Sequence, residues 1–144
     1  MIIRPSTLIR QLLLTSNPPI CQTDPEKPWR CITTILPDGA GTLDDMVAII
    51  DRDDQQISRY VSDSTYRLDP HILIVVRAVG LPRSYDKMRE ISDLLDSIHS
   101  EHITIGSDTY LLESTRRTSN VQLRGIDGTN RRYTHMLEYD LHFV

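Results

Sequence analysis

Five aspartates crowd one short stretch of the chain: Asp44, Asp45, Asp51, Asp53 and Asp54. Paired carboxylates at a strand end are hard oxygen donors, the kind that hold Mg²⁺ and activate water for phosphodiester cleavage. The surroundings do not follow a metal-loop pattern. The Gly and distal Glu of an EF-hand are missing. Pro37-Asp38 is present, but the strand-borne acid-x-Lys pair that follows Pro-Asp in many nucleases is not. The aspartates therefore read first as solvated turns. A small metal-dependent nuclease using Asp44, Asp45 and Asp51 stands as the alternative from another class.

The other reactive side chains are scattered. His99 and His102 straddle the end of an expected helix, where a cation suits the dipole. His135 and His142 have opposite parity on an expected strand, so they face opposite sides. His71 stands alone in sequence. No serine sits in Gly-x-Ser-x-Gly, and the six glycines form neither GxGxxG nor GxxxxGK[ST]. Cys21 and Cys31 lack CxxC spacing and a nearby His pair, which argues against zinc; they read as free thiols in a reducing compartment. The expectation is a protein that is not an enzyme and carries no metal or cofactor.

The elements that would position these residues can be read from periodicity. Ser6 to Thr15 is an amphipathic helix led in by Pro5 and stopped by Asn17-Pro18-Pro19. Arg30 to Leu36 and Met46 to Asp51 read as strands separated by the Pro37–Gly41 turn. Ser58 to Asp69 is a loop or an edge strand. His71 to Val79 (HILIVVRAV) is apolar on both faces and predicts a central strand covered on both sides. Gly80-Leu81-Pro82 breaks it. Ser84 then suits an N-cap for a helix over Tyr85 to His99, with Met88, Ile91, Leu94, Leu95 and Ile98 in one stripe. Short strands follow at Ile103–Ile105 and Tyr110–Thr115. Ser119–Ile126 and Arg132–Val144 form a hairpin around the Asp127–Asn130 turn. On the last strand Tyr133, His135, Leu137, Tyr139, Leu141 and Phe143 share one face. The fold class is α+β: a mixed, mostly antiparallel sheet with two helices packed on one face.

Bulk properties agree with a single domain over residues 1–144. With one Trp and one Phe against six Tyr, the core must be mainly Leu, Ile and Val. The net charge of −4 argues against a nucleic-acid binder, though not against contact with DNA that merely passes by. The N-terminus is interrupted by Arg4, Pro5 and Arg10, so it reads as neither signal peptide nor membrane span.

Charge is divided along the chain. Acid lies in 38–69, whereas Arg116, Arg117, Arg124, Arg131 and Arg132 gather around the C-terminal hairpin. Separated opposite charges suit head-to-tail self-association, though for any single residue a solvated loop is the first reading. Only Lys27 and Lys87 are lysine; arginine favours packed, doubly hydrogen-bonded interfaces, and codon or lineage bias accounts for the excess equally well. Arg77 closes a buried run, so it either snorkels to solvent or forms an inter-subunit salt bridge to an acid such as those of the Asp cluster.

The segments LPDGAGTLDDMVAIIDRDD, DPHILIVVRAVGLPRSYDKMREISDLLDSI and LEYDLHFV, taken in order, resemble the bacteriophage tail-terminator and minor-capsid families. The matching positions are Pro37-Asp38, Ile49-Ile50-Asp51, Val75-Val76-Arg77, Tyr85, Ile91, Leu94 and Leu95. Leu73-Ile74 and Met88-Arg89 depart from the family's usual Gln and small residues. The resemblance implies a virion protein at the head-proximal end of the tail, assembled in the host cytoplasm. It would form a ring, commonly of six, that caps the tail tube, stops its polymerisation and joins tail to head. Its partners would be further copies, the tail tube protein, a neck or head-completion protein and DNA passing through the lumen; no membrane is involved. Arg77, Arg116, Arg117, Arg124, Asp127, Arg131 and Arg132 are then candidates for neighbour or tube contact. Asp44, Asp45, Asp53 and Asp54 are candidates for lining the lumen. A neck or head-completion subunit is the runner-up within assembly.

Overall fold

A computed structural model of the chain describes residues 4–37, 43–52, 55–59, 66–127 and 131–143. Asp53, Asp54 and the 128–130 turn lie outside the described residues; for residues 55–59, 66–69 and Asp127 only the backbone path is described. The elements run α1 (Pro5–Thr15), β1 (Arg30–Ile32), β2 (Met46–Asp51), β3 (Gln55–Arg59), β4 (Tyr66–Asp69), β5 (His71–Val79), α2 (Leu81–Asp96), β6 (Glu101–Ile105), β7 (Asp108–Arg117), β8 (Gln122–Asp127) and β9 (Arg132–Phe143). The main sheet has the order β1-β2-β5-β9-β7-β6, with β8 pairing the first half of β9 beyond the end of β7. Among the described strands only the β1–β2 pair is parallel. This is the expected α+β arrangement.

β5 is central because Ile72 to Arg77 have a partner on both sides, Asp51 to Met46 on β2 and Tyr139 to Thr134 on β9. Its even-numbered residues Ile72, Ile74, Val76 and Ala78 face the helices and are fully buried. Ile72, Ile74 and Val76 meet Leu8, Ile9 and Leu13 of α1 and Met88, Ile91 and Leu95 of α2 in one apolar cluster. α1 touches both β2 and β6, which lie towards opposite edges, so the sheet curls around the helices.

Four expectations are corrected. β1 stops at Ile32, because Thr33 to Ile35 are β-branched but find no neighbouring strand among the described residues. Ser58 to Asp69, read as a loop or an edge strand, holds the end of one strand, β3, and the whole of another, β4, paired with each other; residues 60–65 lie outside the described residues. α2 begins at Leu81, with Pro82 in its first turn where its missing N–H costs nothing. Gly80, at φ +89°, makes the entry that a side chain would disfavour, and Ser84 lies inside the helix, not at its cap. Finally, β5 is covered by helices on one face alone; its other face, carrying Leu73, Val75 and Arg77, fronts a cleft.

The β3–β4 ribbon prolongs the β2–β5 pair. Asp51 stands opposite Ile72, Arg52 N–H donates to His71 O at 2.8 Å, and Gln55 stands opposite Asp69. The ribbon therefore leaves the sheet at the His71 end of β5.

Candidate assembly interface

Strand parity sorts the side chains of the open sheet face. Ile50 from β2, Leu73 and Val75 from β5 and Met136 from β9 form an apolar band across its middle. Ile35, 80% exposed, and Ile126, 62% exposed, stand over it and help line a cleft of about 470 Å³. Each end of the band is closed by ions.

At one end lie Arg77 and Arg132. Arg77 is 4% exposed. Its guanidinium donates to Pro37 O and Leu43 O, both at 2.7 Å, and more weakly to Asp44 O at 3.5 Å. The planar fork thus ties the segment before β2 onto β5, which a lysine's point charge would do less well. Snorkelling to solvent is ruled out by this burial. Arg132 is 3% exposed and donates through Nε to Asp44 at 2.8 Å. Neighbouring Asp45 binds Arg83 at 2.6 Å and accepts the Val79 N–H at 3.3 Å. Arg83 and Lys87 both stack over the Trp29 ring, at 5.2 and 4.8 Å from its centroid.

At the other end, His71 Nδ1 lies 2.5 Å from Asp140 Oδ1, and Arg116 donates to Asp140 Oδ2 at 2.5 Å. A carboxylate only accepts, so Nδ1 carries the proton. Arg52 pairs with Glu138 at 2.8 Å alongside. Burial pushes the Asp140 carboxyl up, but the hydrogen bonds from His71 and Arg116 outweigh it and hold its pKa below the usual value. A depressed folded pKa stabilises the fold fully above the ordinary aspartate value, about 3.9, and that stabilisation is lost as pH falls through the lower folded value. Asp140→Asn should therefore be less stable than the parent near neutral pH, with the gap closing as pH drops below about 4. Urea titrations across that range check this; a gap that stays constant would contradict it.

The remaining expected residues separate. Asp51 faces α1, where Ser6 N–H donates to Oδ1 at 2.7 Å, Ser6 Oγ to Oδ2 at 2.6 Å and Arg4 to Oδ2 at 2.9 Å. It anchors the start of α1. Asp44 and Asp45 precede β2 and Asp51 ends it, so five strand residues intervene and about 20 Å separates the two ends. That distance overturns a single metal centre built on Asp44, Asp45 and Asp51. Among the described residues no group of three or more His, Cys, Asp or Glu is placed to hold a metal. Arg117 pairs with Asp96, which also accepts the Tyr139 hydroxyl at 2.7 Å. Arg124 and Arg131 are exposed, and Asp127 ends β8.

Two buried features escaped the sequence reading. Ser84 Oγ sits 2.6 Å from His135 Nδ1 and 3.3 Å from Val76 O. Burial pushes the His135 pKa down, favouring the neutral ring. Both side chains are sealed from solvent, so the pair is a satisfied polar contact of the core. The parity of β9 carried the signal, since His135 shares the face of Leu137 and Tyr139. Cys21 and Cys31 are free thiols, as expected, and adjacent; the Cys21 contact and burial push the Cys31 thiol up, the inert condition of a structural cysteine.

No family model and no curated protein sequence matches the chain. Among solved structures, the fold is similar to a chain in the "Virion of native gene transfer agent (GTA) particle", with a TM-score of 0.50 and 10% sequence identity over 78% of this chain and 77% of that one. At that identity the likeness is one of fold alone.

Proposed function

We propose that the chain is a structural subunit of a phage-like virion. It is one member of a ring, six-fold by the family resemblance, that caps the tail tube, ends its polymerisation and joins the tail to the neck or head. The observation that carries this is the open sheet face: an apolar band with ion pairs at both ends, the build of a protein–protein contact rather than of a catalytic pocket. The fold likeness to a virion chain supports the same setting. The protein acts without catalysis and resides at the head-proximal end of the tail after assembly in the host cytoplasm. Its partners are further copies, the tube protein and a neck or head-completion protein.

Within that reading the exposed Arg124 and Arg131 are free to meet a neighbour. Arg116 and Arg117 are also at the surface, but they arrive with Asp140 and Asp96 attached. Asp44, half exposed while holding Arg132, can still turn negative charge towards a lumen that DNA passes without sticking. Light scattering after size exclusion, free and after addition of cognate tail tubes, tests the ring. The expected result is a particle near six subunit masses of 16.6 kDa, or a monomer that collects on tube ends and halts their growth. A strict monomer that ignores tubes and cleaves DNA with Mg²⁺ would sink the proposal.

A further inference from the structure

We infer that the β3–β4 ribbon of one copy lies along the free edge of β8 in the next copy and extends its sheet. This rests on the ring reading and names the contact between neighbours. β3 and β4 pair only with each other among the described residues, and a lone two-stranded ribbon is marginal in water. β8 pairs β9 on one side, and among the described residues its backbone makes no hydrogen bond outside that ladder. Such an edge is normally blunted or covered. Here it carries Leu123, 45% exposed, and Ile126, 62% exposed. β3 has five residues, about 17 Å, a fair match for the six of β8.

The two features cannot meet within one chain. The ribbon leaves at the His71 end of β5, opposite Asp140. β8 pairs Arg132 to Met136, opposite the Val75–Val79 end. Strand geometry puts these ends more than about 20 Å apart, with the ribbon continuing away from β8. Only a second copy brings them together, and the contact is heterologous. Repeated head to tail, such a contact closes into a ring when its rotation allows. Charge agrees: Arg124 and Arg131, both exposed, flank the β8 edge, while the sequence around the ribbon carries Asp53, Asp54, Asp63 and Asp69 against Arg59 and Arg67.

The test is a double variant, Ser58→Cys with Arg124→Cys, oxidised with diamide free and on cognate tail tubes. A ladder from dimer upwards on a non-reducing gel is expected. Mixing the two single variants should stop at dimers. In parallel, Leu123→Lys with Ile126→Lys should weaken assembly at least ~10-fold while leaving the monomer's Tm unchanged, because both side chains are exposed. A ring that forms normally in the lysine variant and gives no cross-linked ladder overturns this inference and leaves the ring standing. A chain that stays monomeric in every arm overturns both.

Discussion

Arg77→Met should lower the unfolding free energy by about 3 kcal/mol, because it removes charge-assisted hydrogen bonds and leaves their acceptors behind. Methionine keeps much of the stem's volume, so a cavity contributes little. What is lost is the fork that holds Pro37 O and Leu43 O at 2.7 Å. Both carbonyls belong to the segment entering β2, and Asp44 within it also binds Arg132. Loss of Arg77 should thus loosen the Asp44 end of the open face as well as the fold. Arg77→Lys should recover less than half of the deficit, since one ammonium cannot replace two directed N–H groups in a fixed plane. Urea unfolding of the three proteins measures this. A methionine variant within about 0.5 kcal/mol of the parent, the range of ordinary surface changes, would show that the buried bonds contribute nothing net.

Local signals located most elements, and non-local pairing decided where they failed. β2 and β5 run as read, Met46–Asp51 and His71–Val79, since their apolar runs are bounded by acids and by Gly80. The stripe Met88, Ile91, Leu95 placed the buried side of α2, yet its start was misread because Leu81-Pro82 breaks a strand and opens a helix alike. Thr33 to Leu36 has strand composition, and composition cannot say whether a neighbour is present. The candidate interface was harder still. The Arg-rich and Asp-rich segments were visible as separate groups, but Asp44 meets Arg132 across 88 positions and Asp140 meets Arg116 across 24. Those pairings follow from the strand order β2-β5-β9-β7, which no local spacing specifies. The Asp cluster looked like one feature in sequence because β2 was not yet stretched between its members.

Tyr139 joins the core to the surface charges, and its replacement tests how far one depends on the other. It is fully buried on β9 with Leu112, Leu137 and Leu141 in the same cluster, and its hydroxyl donates to Asp96 at the end of α2. Burial pushes the phenol pKa up, and the Asp96 contact adds to it, so the group stays a donor. Tyr139→Ala should cost about 4 kcal/mol, the usual scale for deleting a buried ring and leaving a cavity. Tyr139→Phe keeps the ring and should cost about 1 kcal/mol, because Asp96 is partly exposed and retains Arg117. The contrast matters for assembly. If Arg117 helps to meet a neighbour, its guanidinium must be held by an Asp96 that α2 and β9 together position. Tyr139→Phe should then leave the oligomer intact, whereas Asp96→Ala, which frees Arg117 without opening the core, should shift assembly while costing less stability than Tyr139→Ala. Equal losses of stability in the alanine and phenylalanine variants would mean that the hydroxyl, not the packed ring, anchors β9 to α2.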